Sequence, residues 1–494
     1  MKKIFRTLLF ALLLISLTAF AACAAEEAEP EDEELIAGDW TVMAKRYPNP
    51  YLSEDIADAP SPELLASWWN SLGDETLISL IERALENNRD LEQARQKVTE
   101  ARATLGISKS TVLPWLDSND SWTRAKTSEN STGTGQTVSV YRLGLDASWE
   151  IDIFGGRRQE IKAGKATLEA QYAALHNTWV TLASEVALNY LNLRTLQERL
   201  RIANESLILQ EESLGLLQSQ YDAGLADALA LNQAQYVYEQ TKASIPPIRT
   251  SVEQALNAIA ILTGDVPGSL ELLLGEAKPL PAPDAANLLG IPADYLRQRP
   301  DIRMAERQLI AQIARTKSAR ADLWPKFTFV GSIGLESIST GSIFSSGSQA
   351  FSFGPKISLP FFHAGAIRNN IRVQTARQEQ YLAAYEQTVL NAVAEVRNSL
   401  TANVQERSRN ESLRAGVDAA RTAYDVASDK YRNGLTDYYN VIDAQRSLLS
   451  LQEQLVISEG EIISNLVGLY KALGGGWAPI VAENAQDLPQ RAKM

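Results

Sequence analysis

The 494-residue chain contains one cysteine and two histidines. A single thiol, Cys23, excludes an intramolecular disulfide. His176 and His363 stand far apart without metal-ligand spacing, so no metal or other cofactor is expected. Glycines 474–476 lack the Lys-Ser/Thr pair that completes a phosphate loop. No Ser/His/Asp set has a motif around it, and the chain is not expected to be an enzyme. Clustered basic residues are missing too. With 47 Lys+Arg against 60 Asp+Glu the net charge is -13, which excludes nucleic acid as the main partner. The apolar run at residues 8–20 is too short, and too soon followed by acids, for a good transmembrane helix.

That short run has another use. Lys2, Lys3 and Arg6 precede it and the small residues Ala21 and Ala22 follow, as in an export signal over 1–22. "FAAC" resembles a lipobox, which would make Cys23 the lipidated first residue of a bacterial lipoprotein. The plainer alternative is an incidental thiol beside a peptidase site. The acidic "AAEEAEPEDEE" opens a segment, 23–60, that reads as a solvated, self-repelling tether.

Beyond residue 60 the chain repeats itself. "YDAGLADALALNQAQ" from Tyr221 returns as "YRNGLTDYYNVIDAQ" from Tyr431. Asp90-Leu91 falls on Asp301-Ile302, Pro114 on Pro325 and Phe154 near Phe362. So long a period means a duplicated domain rather than a solenoid. The copies span 61–266 and 291–475, with a Pro/Gly-rich linker at 267–290 and a tail from 476. Each is expected to run helix, two strands, long helix, shorter helix.

The long helix of copy one carries a seven-residue stripe: Val186, Leu193, Leu200, Leu207, Leu214, Tyr221. Copy two keeps part of it but places Asn403 and Asn410 in line. No proline falls between Arg157 and Tyr221, and a helix of that length spans on the order of 100 Å. Helices over about 76–112 and 228–262, the second bent at Pro246-Pro247, are each about half as long. Stacked end to end they match the long one, which describes a wall rather than a globule.

Strands are expected at about 115–127, 136–153, 326–338 and 350–361. Leu143, Leu145, Ala147, Trp149, Ile151 and Ile153 alternate with Gly144, Asp146, Ser148, Glu150 and Asp152. Copy two repeats the alternation with Phe327, Phe329 and Ile333, then Phe351, Phe353 and Ile357. Such strands mark a transmembrane β-barrel, with the acids expected to meet a water-filled lumen. Four strands cannot close, and an open edge cannot sit in lipid. Three copies give twelve strands. The expected fold class is therefore mainly α with a transmembrane β-barrel, built from two tandem repeats whose sheet closes only with the sheets of other copies. The echo itself is a helical hairpin tip, with Gly224 and Gly434 ending one helix and Asp227 and Asp437 capping the next.

The lipobox, "WWNSLGDETLISLIERALENNRDL", "RQRPDIRMAERQL", the YxxGLxD tips and "VIDAQRSLL" together resemble the TolC-like outer-membrane efflux proteins, lipoprotein (NodT/OprM-type) branch. The resemblance implies a homotrimer with a 12-stranded β-barrel and a long α-helical one, forming an exit duct across the periplasm and outer membrane of a Gram-negative bacterium. It implies as partners a periplasmic adaptor and an inner-membrane pump. It carries adaptor contact onto Gly224, Leu225, Ala226, Asp227, Gly434, Leu435, Thr436 and Asp437, and the periplasmic gate onto Tyr439 and Asp443. Where some relatives carry a further acid, Asn440 and Ala230 stand here, with Tyr438 and Tyr439 expected to supply bulk at the gate. A lipidated periplasmic adaptor and an envelope-bound hydrolase stay open as alternatives.

Overall fold

The computed structural model describes residues 65–130, 135–281 and 298–477, together with Leu296. The export signal, Cys23, the tether, linker residues 282–295 and the tail from 478 lie outside the described residues.

After a 3-10 turn at Trp68–Leu72 come α1 (Glu75–Asn87), α2 (Arg89–Ser110), β1 (Trp115–Ser118), β2 (Ser121–Lys126) and β3 (Thr137–Ile151). Then follow α3 (Gly156–Asp222), α4 (Ala228–Thr263), the single turn α5 (Glu271–Leu274) and α6 (Pro300–Ala321). The chain ends with β4 (Lys326–Ser337), β5 (Gln349–Ser358), α7 (Ala366–Arg432) and α8 (Tyr438–Ala472). The duplication is visible in the lengths. Helices α2 and α6 have 22 residues each, α3 and α7 have 67, and α4 and α8 have 36 and 35.

Two local features differ from expectation. The helix expected over 76–112 is two helices, because Asn88 leaves the helical region at φ -62, ψ 136. Its side chain accepts from the Leu91 N–H (2.9 Å) and donates to the Leu262 carbonyl (3.0 Å), pinning the break to α4. As expected, α4 is a single helix that contains Pro246 and Pro247. The missing donors leave the carbonyls of Lys242 and Ala243 unpaired along the helix, at exposed positions where water can serve them. The first strand is split at Asn119-Asp120, where the Asp120 carboxylate takes the Gly144 N–H (3.2 Å) in place of the ladder.

The sheet is antiparallel throughout, with β1 and β2 end to end on one side of β3, and β4 then β5 on the other. Register places Leu143 against Leu335, Leu145 against Ile333, Trp149 against Phe329, and Ile333 against Phe351. These side chains share one face, and it is bare: Ile333 is 65% exposed, Phe351 73% and Phe353 75%. The other face is less acidic in effect than its sequence. Asp146 accepts from Asn119 and pairs with Arg142 (3.2 Å), and Glu150 pairs with Arg157 (3.1 Å). Asp152 accepts from the backbone N–H groups of Arg157 and Arg158, satisfying first-turn donors of α3. The acids of this face are thus held in ion pairs and one helix cap.

The helical core centres on α3. Val186, Tyr190, Leu191 and Leu193 are fully buried; further down the stripe Leu200 and Leu207 pack against Ala203, Ile245 and Ile248, and Tyr221 is exposed. Trp68 is fully buried and stacks on Tyr470 (5.4 Å). His176 stacks on Trp477 (4.6 Å), whose ring also lies beneath Arg303.

Two predictions follow from this packing. A Cβ on Gly334 would collide with the Leu143 carbonyl on the paired strand, whereas at Gly354 it would meet open space. Gly334→Ala should therefore lower the protease-resistant, membrane-assembled fraction several-fold while Gly354→Ala leaves it unchanged. Burial, reinforced by the Arg303 charge, lowers the pKa of His176 to about 4. The unfolded chain takes up this proton near the ordinary histidine value of about 6.5, so stability falls as pH drops from there towards 4. In His176→Phe the loss of Tm between pH 7.5 and pH 5 should be smaller than in the parent.

Candidate functional site

The two tips lie at the helix ends remote from the sheet. At each, the long helix closes in a Schellman motif. The Gly224 N–H donates to the Tyr221 carbonyl (2.9 Å) and the Leu225 N–H to that of Gln220 (2.8 Å). Gly434 and Leu435 repeat the pair with Tyr431 and Lys430, both at 2.9 Å. Both glycines sit at positive φ, 73° and 69°, where a Cβ would be strained. The turns throw one leucine each into solvent, Leu225 at 81% and Leu435 at 74% exposure. Ala226 and Thr436 are half-buried behind them.

The caps are not equivalent. Asp227 accepts the Ala230 N–H (2.7 Å) and caps α4 as expected. Asp437 occupies the same position before α8 without a side-chain cap bond. There the Asn440 N–H donates to the Asp437 main-chain carbonyl (3.2 Å), and the Asn440 amide donates to the Thr436 hydroxyl (2.7 Å).

Behind the tips one apolar cluster joins the two repeats. Leu217 of α3, Ala234 and Val237 of α4, and Tyr438, Val441 and Ile442 of α8 form it, with Leu214, Tyr424 and Tyr431 against it. Tyr438 is therefore core and not gate bulk, which corrects the expectation from sequence. Successive helical residues point about 100° apart, so neighbours 438 and 439 face different ways. Tyr439 is 58% exposed and Asp443, one turn on, is exposed on the same face. Among the described residues Asp443 has no ion-pair partner.

Sequence reasoning missed a bond between the tips. The Tyr431 hydroxyl donates to Gln220 Oε1 (2.8 Å), linking the ends of α7 and α3, and its ring meets Tyr438 edge-on at 5.0 Å. Burial pushes the phenols of Tyr431 and Tyr438 above their ordinary range. Nothing local foretells this bond; the signal is that Tyr431 is the repeat partner of Tyr221, beside Gln220. Among the described residues no group of three or more His, Cys, Asp or Glu could hold a metal ion.

The family model "Outer membrane efflux protein" matches residues 80–265 and 291–475. The toluene efflux pump outer membrane protein TtgI of Pseudomonas putida is 34% identical over 416 residues, 82% of this chain and 86% of that one. The probable outer membrane lipoprotein SilC of Salmonella typhimurium is 32% identical over 83% and 88% of the two chains. The solved outer-membrane channel OprN superposes with a TM-score of 0.81 at 34% identity, covering 86% of this chain and 94% of that one. None of these likenesses supports the adaptor alternative. A model that matches both repeats, and relatives a third identical along most of their length, place the chain in the outer membrane efflux protein family, as a channel of the Gram-negative outer membrane.

Proposed function

We propose that three copies of the chain form one continuous exit duct, serving an inner-membrane pump through a periplasmic adaptor. The observation that carries this is the sheet: its apolar face is bare and, among the described residues, both its outer strands, β1/β2 and β5, lack a partner on one side. Lipid satisfies no backbone donor, so such edges must pair with other strands, and three sheets of four columns make a barrel of twelve. The paired polar face then lines the pore. The duct conducts passively and catalyses no reaction of its own. Lipidation of Cys23 would add an anchor at the same membrane.

The narrow end of the duct is assigned to the tips. Threefold symmetry would bring three Tyr439 and three Asp443 side chains around one axis, as rings of bulk and negative charge that restrict the opening and favour cations. The link from Tyr431 to Gln220 would hold the second tip against the first within each protomer. Leu225 and Leu435, with Gly224, Ala226, Asp227, Gly434, Thr436 and Asp437, form the surface offered to the adaptor.

Cysteine crosslinking across neighbouring β5 and β1/β2 edges in intact cells should trap a trimer; a chain that stays monomeric in the membrane would refute the duct. Tyr439→Ala combined with Asp443→Ala should raise single-channel conductance in planar bilayers and weaken cation preference. Unchanged conductance would remove the gate assignment. Tyr431→Phe removes one hydrogen bond per protomer, worth about 1 kcal/mol, and should favour opening about fivefold for each protomer without altering the conductance of the open state. Tyr438→Ala should instead lower Tm, since it empties the cluster behind the tips.

A further inference from the structure

The bare apolar face has a sharp upper boundary. At the end of the sheet remote from the helices, Trp122 lies opposite Tyr141 and their rings stack at 6.3 Å. The next two positions of β2 on that same face are Arg124, opposite Ser139, and Lys126, opposite Thr137. At about 3.4 Å per residue these stand roughly 7 and 14 Å along the strand from the aromatic pair. Across the boundary the alternation reverses, and Val138 and Val140 take the opposite face. Along β3 the outward-facing side chains are therefore apolar up to Tyr141 and polar immediately beyond it at Ser139 and Thr137, while Ser118, Gln349 and Ser337 interrupt the apolar face on the neighbouring strands.

On the outward face these two cations stand alone; the other sheet cation without an ion pair among the described residues, Lys356, lies on the polar face. Arg142, Arg157 and Arg158 each have a carboxylate partner. Arg124 and Lys126 are exposed, with no ion pair among the described residues. Tryptophan and tyrosine mark the level where acyl chains give way to head groups, and unpaired Lys and Arg just outside that level attract anionic lipid. Their long apolar stems let the charged ends reach back to that level.

Resting on the proposed lipid-facing assignment of this sheet face, we propose that Arg124 and Lys126 form a docking site for the phosphorylated head group of an outer-leaflet lipid. Trp122 and Tyr141 pack below it, at the junction of head group and acyl chain. Arg124 supplies a planar fork that can hold two phosphate oxygens, and Lys126 a second positive charge one strand step further out.

The test uses the full chain purified in detergent and titrated with bisphosphorylated lipid A, with enzymatically dephosphorylated lipid A, and with inorganic phosphate, binding being read by native mass spectrometry. Wild type should prefer the phosphorylated lipid, and Arg124→Ala combined with Lys126→Ala should weaken that binding by about fivefold per charge removed. Arg124→Lys combined with Lys126→Arg should stay near wild type. Dephosphorylated lipid should not distinguish the proteins, and inorganic phosphate alone should not bind. Equal affinity of the alanine variant and wild type for phosphorylated lipid would overturn the site, as would binding of free phosphate at the same strength. Conductance of the wild-type protein tests the duct separately, so failure of one proposal is not read as failure of the other.

Discussion

Every backbone donor and acceptor in a membrane must find a partner within protein, and this constraint organises the molecule. The sheet satisfies its inner ladders but leaves two edges open, and it presents phenylalanines and isoleucines where a soluble sheet would carry polar side chains. Water tolerates the edges but not the face, whereas lipid tolerates the face but not the edges. Only closure with other sheets meets both demands. The corner that joins sheet to helix is correspondingly firm: Asp152 caps α3, Trp149 donates to the Val112 carbonyl (2.9 Å), and Phe154 stacks on Trp324 (5.0 Å). A barrel strand can hand its direction to a 67-residue helix only if this corner does not flex.

The two long helices are buried very differently. Buried residues run along much of α3, while α7 has far fewer. Helix α3 is enclosed by α1, α2, α4, α6 and α8, whereas α7 packs on α6 and α8 alone among the larger contacts. Val373, Leu390, Val404 and Val426 on α7 are left 39–47% exposed. In the proposed ring the neighbour would cover such positions. One chain therefore contains an inner helix and an edge helix of the same length, though they descend from one repeat.

Period and alternation were the legible part. The heptad stripe of α3, the strands and both hairpin tips could be read because each is a local pattern that the fold keeps. What could not be read depends on partners distant in sequence or on helical phase. Asn88 breaks a helix because Leu262, from another helix, accepts its amide. Asp120 breaks a strand by capturing a neighbouring strand's N–H. Tyr438 and Tyr439 look interchangeable in a string of letters, yet one is core and the other surface because the helix turns between them. The ion pairs that Arg142, Arg157 and Arg158 make with Asp146, Glu150 and Asp152 likewise appear only once the chain is folded.

The asparagines in the second stripe show how duplication permits asymmetry. Where copy one buries Leu193 and packs Leu200, copy two has Asn403 and Asn410. Where α4 has Ile248, α8 has Ser458. Asn410 is buried and donates to the Ser458 hydroxyl (3.2 Å), Asn403 donates to the Ile462 carbonyl (3.4 Å), and Arg409 bridges Glu406 and Glu461. A buried asparagine in a heptad position lowers stability but fixes register, since a slipped helix would strand its amide. Both hairpins bury apolar side chains, but the second adds hydrogen bonds across its seam that fix its register. The second hairpin is also the one that carries Tyr439 and Asp443. Symmetric rings at the proposed gate require the same axial height from every copy, and a hairpin locked in register supplies that height where a purely apolar seam would not.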